Sequence, residues 1–269
     1  MVSFADRLEG FPRWVTEEYW AVTRRSVLTA WAHPGAFRDA VRHARALLPQ
    51  VAGLTGVPEA DLHRWLRELR NGGLAREIRG RCPQASGMGS PHAELLYLFV
   101  RAVRPAVVVE TGVELGVSSA YLLQALADNA AGELWSVDLP TIGPAGRINQ
   151  DGRLDRAHVD SMEMVGRAVP ERLRGRWHLS LGDAREMLPS LPAPQPWDVF
   201  FHDSEHSRAH MLWEYGVAWS HLRPGGLLVS DDVPNNDAFL TFSNSVGQSP
   251  FLWLRRGAIR KQLAASSVP

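Results

Sequence analysis

Residues 105–119 read Pro-Ala-Val-Val-Val-Glu-Thr-Gly-Val-Glu-Leu-Gly-Val-Ser-Ser. Behind Pro105, Ala106 to Val109 is a short unbroken apolar run, the pattern of a strand buried on both faces. Glu110 ends that strand. Gly112 and Gly116 let the backbone turn tightly and approach a ligand, and Ser118 is placed to cap a helix running to Leu126. The same alternation recurs downstream. Further strands are predicted at Glu133 to Val137, Trp177 to Leu181, Trp197 to His202 and Gly226 to Ser230, with a long helix from His206 to Leu222. Buried strands separated by helices make an α/β protein with a parallel sheet covered on both sides. Ligands of such sheets bind beyond the carboxyl ends of the strands.

Polar residues collect at those ends. Glu110 follows the first strand, Asp138 the second, Asp183 the third, Asp203 the fourth, and Asp231 with Asp232 the fifth. Asp138 lies 22 residues after Gly116, where a carboxylate accepts hydrogen bonds from a ribose diol. A dinucleotide fingerprint, Gly-x-Gly-x-x-Gly, fails at Glu114 and Val117, and Glu114 would repel a pyrophosphate. This disfavours an NAD-dependent oxidoreductase. A cofactor with ribose and adenine but no phosphate suits the loop better, and S-adenosylmethionine, a sulfonium cation, is one.

Composition narrows the classes. The chain has 269 residues, 45% hydrophobic and 22% charged, with 29 Lys+Arg against 29 Asp+Glu. Zero net charge argues against nucleic acid or an anionic membrane as partner. No run of 18 apolar residues exists to span a bilayer, and the first ten residues lack the apolar core of a secretory signal. Cys82 is the only cysteine, which excludes an intrachain disulfide and fits a reducing cytoplasm. Lys261 is the only lysine, so a lysine base is not expected.

Four pieces in order carry a resemblance: Val-Val-Glu110-Thr-Gly112 with Gly116 and Ser118; Trp-Ser-Val-Asp138; Trp197-Asp-Val-Phe-Phe-His-Asp203-Ser-Glu-His206; and Leu222-Arg-Pro-Gly-Gly-Leu-Leu-Val-Ser-Asp231-Asp232. Residues 86–269 resemble a class I S-adenosylmethionine-dependent methyltransferase, of the metal-dependent branch that O-methylates sugars and other natural products. The resemblance implies a Rossmann-like, doubly wound, mostly parallel seven-stranded sheet. It also implies that Glu110, Gly112, Gly116 and Ser118 line the methionine end, that Asp138 holds the ribose, and that Asp183 with Ala184 lies against the adenine. Met88 corresponds to a residue that packs on the cofactor. Glu114 departs from the pattern, because many class I enzymes have a glycine there.

Asp203, Asp231 and Asp232 fall where metal-dependent relatives hold their ion. Adjacent parallel strands lie about 4.8 Å apart, so such carboxylates can converge, and oxygen ligands select Mg²⁺ or a similar divalent cation. The alternative for Asp232 is a turn cap before Pro234. His206, three residues after Asp203, is the candidate base for the acceptor hydroxyl, as sugar-type relatives imply. His202-Asp-Ser-Glu-His206 also spells a zinc-protease pattern, but that motif needs a helix and His202 closes a strand. The acceptor is expected to be a small-molecule hydroxyl.

Residues 1–85 read as a helical extension. Ala36 to Leu48 forms an amphipathic stripe. A second helix opens at Pro58, buries Leu62, Trp65, Leu66 and Leu69, and stops at Gly72-Gly73. Residues 81–91 form a breaker-rich junction, taken as the domain boundary. The extension is the candidate pairing surface of a homo-oligomer. The segment 139–155, rich in Gly and Pro, is the candidate lid over the acceptor, with tryptophans such as Trp14, Trp20 and Trp31 as candidate pocket walls.

Overall fold

The computed structural model describes residues 47–83, 85, 91–143, 146–152, 154–155 and 159–262. Met88, Trp14, Trp20, Trp31 and the stripe from Ala36 lie outside them, apart from Leu47 and Leu48, which open the first described helix.

In chain order the elements are α1 (Leu47–Thr55), α2 (Glu59–Gly72), α3 (Leu74–Arg81), α4 (Pro91–Val103), β1 (Val107–Thr111), α5 (Val117–Asp128), β2 (Glu133–Asp138), β3 (Arg147–Ile148), β4 (Leu154–Asp155), β5 (Trp177–Leu181), α6 (Ala184–Met187), β6 (Trp197–His202), α7 (Arg208–His221), β7 (Leu222–Ser230), α8 (Ala238–Ser245), β8 (Phe251–Trp253) and β9 (Arg256–Arg260). All five expected strands form. α7 begins at Arg208, so His206 precedes it rather than opening it.

Seven strands make one sheet in the order β5-β2-β1-β6-β7-β9-β8. The first five are mutually parallel, and β9 runs antiparallel to both β7 and β8. This is the expected Rossmann-like, doubly wound sheet. Strand order reverses between β1 and β6, which leaves a crevice above that pair. The register levels the strand ends: Thr111 pairs with Val137 and His202, and His202 with Ser230. One residue further along each chain stand Gly112, Asp138, Asp203 and Asp231, in a row above the sheet.

Alternate residues of each strand feed opposite layers. Val108, Phe201 and Val229 pack on the α4 and α5 side; Val109, Phe200 and Leu228 pack on the α7 and α8 side. The first of these clusters is continuous with Leu47, Val51, Leu62 and Leu66 of α1 and α2. Leu62, Leu66 and Leu69 are buried as their spacing predicts, Trp65 of the same face is only half-buried, and Gly73 ends α2 in the left-handed conformation at φ +81°. Arg70 grips Glu94 of α4 with two hydrogen bonds, Nε to Oε1 at 2.7 Å and Nη2 to Oε2 at 2.6 Å. Among the described residues no helix is long and apolar enough to cross a membrane.

Candidate active site

A cleft of about 470 Å³ opens above the carboxyl ends of β1, β2, β6 and β7. Its floor is the turn after β1. Gly112 sits at φ +85°, and a Cβ there would collide with the Asp203 backbone carbonyl. That close approach is secured from both sides: Gly112 N–H donates to Val137 O at 2.9 Å, and Asp203 N–H donates to Thr111 O at 2.8 Å. Gly116 opens α5 at φ +82°, with room for a Cβ only 2.8 Å from Gly166 Cα. Between the two glycines, Glu114 itself adopts φ +50°. The chain therefore follows a glycine-like path at 114 without a glycine.

Glu110 is placed differently from the expectation. It is fully buried beneath the turn and does not line the cleft. Its carboxylate accepts from Ser118 Oγ at 2.7 Å, Ser119 Oγ at 2.6 Å and Ser136 Oγ at 2.8 Å. Burial pushes its pKa up to about 7 although the three hydroxyls oppose the rise. Ser118 does line the cleft, but its hydroxyl serves Glu110 and does not cap α5.

Asp138 and Asp183 stand on the β2–β5 side. Asp138 Oδ1 accepts from Val113 N–H at 3.1 Å, while its Oδ2 is buried with no hydrogen-bond partner. Burial raises this carboxyl above its ordinary range. An orphaned buried oxygen facing a cleft is the mark of a place for a ligand donor. Asp183 caps α6, accepting from Arg185 N–H at 2.8 Å, and the buried Ala184 follows it on the same wall.

Asp203, Asp231, Asp232 and His206 share the β6–β7 side of the cleft. The three carboxylates line one cleft, but two of them are already matched to arginines. Arg255 holds Asp232 Oδ1 through Nε at 2.6 Å, and Asn235 donates to Oδ2 at 3.0 Å. Asp232 is left-handed at φ +52° and leads into a 3₁₀ turn, without a side-chain cap bond to it. Arg256 Nε lies 3.3 Å from Asp231 Oδ1. Burial pushes Asp231 upward, but Arg256, His92 and His206 outweigh it and hold the carboxyl below its usual range. Burial, and then the Asp231 charge, hold Asp203 well above it. Among the described residues no group of three or more His, Cys, Asp or Glu side chains is arranged to hold a metal. The donor set as folded does not fit Mg²⁺, because arginines already balance two of its three charges.

His206 lies between two of these carboxylates: Nε2 is 3.7 Å from Asp203 Oδ1 and Nδ1 is 4.0 Å from Asp232 Oδ2. Its ring meets His202 edge-on at 5.2 Å. His202 is the last residue of β6 and fully buried, which removes the helical zinc-protease pattern.

Two features escaped the sequence reading. Glu214 of α7 is a buried carboxylate bound by Thr111 Oγ1 at 2.6 Å, His202 Nδ1 at 2.6 Å, Ser204 Oγ at 2.8 Å and His210 Nε2 at 2.9 Å. Burial disfavours its charge, yet His202 and then His210 outweigh burial and hold the carboxyl far below its ordinary range. Its signal was the His210–Glu214 spacing of one helical turn. The other is the Arg255-Arg256 pair, visible as a dipeptide but not assignable to the cleft before β9 was known to lie beside β7.

Residues 109–233 match a family described as a methyltransferase domain. The fold is also that of solved structures. An S-adenosylhomocysteine-bound methyltransferase of Podospora anserina aligns with a TM-score of 0.50 at 13% identity, over 71% of this chain and 88% of that one. A cofactor-bound protein from MTB aligns with a TM-score of 0.50 at 15% identity, over 72% and 89%. No match was found among the curated proteins. The sheet order and the domain match agree: residues 109–233 are similar to a methyltransferase domain, on a sheet with the fold of these solved structures.

Proposed function

We propose that this protein O-methylates a hydroxyl of a small molecule, a sugar or a natural-product intermediate, with His206 as the base. The observation that carries the reading is the position of His206: 20% exposed, on the cleft, flanked by Asp203 and Asp232. S-adenosylmethionine, when bound, supplies a methyl group already activated by its sulfonium. The residues present fit it: Gly112 and Gly116 leave space over the turn, Asp138 Oδ2 awaits a hydroxyl donor, and Asp183-Ala184 forms a wall beyond.

The rest of the chemistry falls to the acceptor side. The acceptor oxygen must be held about 3 to 3.5 Å from the methyl carbon, in line with the bond that breaks. It must also lose a proton, and a histidine accepts one near neutral pH. Asp232 favours the imidazolium that results, since an opposite charge nearby stabilises the charged form. The segment 139–155 meets this end through its described residues 146–152. Gln150 N–H donates to Glu205 Oε1 at 3.0 Å, Asp151 Oδ2 accepts from Arg208 N–H at 3.0 Å, and Arg147 faces Glu205 at 3.6 Å. It is the cover for the acceptor. No step is routed through a divalent ion, whose ligands are not assembled.

The test is His206→Gln. Turnover with an accepted hydroxyl substrate, read as product mass increased by one CH₂, should fall roughly 10²–10⁴-fold, with S-adenosylhomocysteine affinity unchanged by calorimetry. Full turnover in the variant would remove His206 from the chemistry.

A further inference from the structure

We infer that Arg256 is an anion-recognition residue at the acceptor end of the cleft, receiving an anionic oxygen (a carboxylate or an ionised hydroxyl) carried by the molecule to be methylated. The inference rests on the methyltransferase reading above and adds the charge of the substrate to it.

Arg256 opens β9, and its side chain is only 7% exposed on the wall of the cleft. The guanidinium lies over the Phe201 ring at 4.8 Å, which fixes its plane against an apolar face. Asp231 is 3.3 Å from Nε, an ion contact without a hydrogen bond. Nε and Nη1 are both buried and have no hydrogen-bond partner. A buried charged donor left unbonded costs more than one that is satisfied. The neighbouring Arg255 differs: it is half exposed and committed to Asp232. Arg256 therefore lines the same compartment as His206 and Asp203 with an Nε and an Nη1 that make no hydrogen bond within the protein. A ligand oxygen bearing negative charge satisfies them. A divalent cation does not, because the guanidinium already supplies the positive charge beside Asp231.

The test uses the full-length protein saturated with S-adenosylhomocysteine and two probes of matched shape, salicylate and salicylamide, compared by calorimetry before and after treatment with EDTA. Salicylate should bind at least tenfold more tightly than salicylamide. Arg256→Met should abolish the preference and Arg256→Lys should keep part of it, with S-adenosylhomocysteine affinity retained in both. EDTA should change neither probe. If Arg256→Met does not fold, the Asp231→Asn/Arg256→Met pair removes both charges and must show the same loss. Equal affinity for the two probes, absence of binding by either, or a preference that survives in the Met variant overturns the inference. So does a preference that EDTA removes and Mg²⁺ restores. Failure of the native protein to bind S-adenosylhomocysteine would instead overturn the cofactor reading itself.

Discussion

Replacing Glu110 with Gln probes the buried carboxyl under the turn after β1 through its protons. The residue is fully buried, and its carboxyl is pushed from 4.5 up to about 7 by removal from water, against three serine hydroxyls that favour the anion. The folded protein therefore binds more protons than the unfolded chain between pH 4.5 and 7. Its stability from this source is fully present below pH 4.5, falls as pH rises through that window, and levels off above 7. A rise from 4.5 to about 7 corresponds to about 3 kcal/mol at full ionisation. Glutamine keeps the shape and cannot ionise, and the serine hydroxyls can turn to accept from its amide. Urea unfolding of both proteins from pH 4.5 to 8.5 should show the native protein losing about 3 kcal/mol relative to Glu110→Gln. In thermal unfolding at pH 8 the variant should gain roughly 6–12 °C relative to its offset at pH 4.5. A difference between the two proteins that stays flat across this range would show that Ser118, Ser119 and Ser136 keep Glu110 ionised throughout, and the argument from burial would be wrong.

Three further outcomes are expected. Asp138→Asn should weaken S-adenosylhomocysteine binding by roughly 10–100-fold in calorimetry, since an amide in place of the carboxylate forfeits a charge-assisted bond; the melting temperature of the free protein should change little, because Oδ2 has no partner to lose. Gly112→Ala should destabilise the fold by at least about 1–2 kcal/mol from backbone conformation alone, and by more because the new methyl meets the fixed backbone of Asp203; a chemical-denaturation midpoint equal to that of the native protein would contradict the geometry. Glu214→Gln should cost roughly 3–5 kcal/mol in denaturant unfolding, because it removes the charge that His202 and His210 share; a loss within 1 kcal/mol would mean that neither histidine relies on that charge.

The sheet was legible because its strands are buried on both faces, so Val107-Val-Val and Val199-Phe-Phe announce themselves without a periodic pattern. Strand ends were legible too, since register makes every first polar residue after a buried strand a neighbour of the others. Side-chain direction was not. Asp138 ends β2 but Glu110 lies one residue before the end of β1, so Glu110 points beneath the turn to three serines while Asp138 keeps one oxygen for the cleft. By register Glu110 is level with Ser136, two residues short of Asp138 on the same face of the sheet, and that depth beneath the turn decides which carboxylate is structural. The acidic crown misled for a related reason. Asp203, Asp231 and Asp232 look like an ion site when only the parallel strands are counted, because their counter-charges come from β8–β9, an antiparallel excursion with only weak signals. Arg255 and Arg256 lie more than twenty residues beyond Asp232 in the chain, but Val233 N–H donates to Arg255 O at 3.0 Å and brings them alongside. Charge balance is a property of the completed sheet, and so the counter-charges of Asp231 and Asp232 come from the turn and strand that lie beside β7.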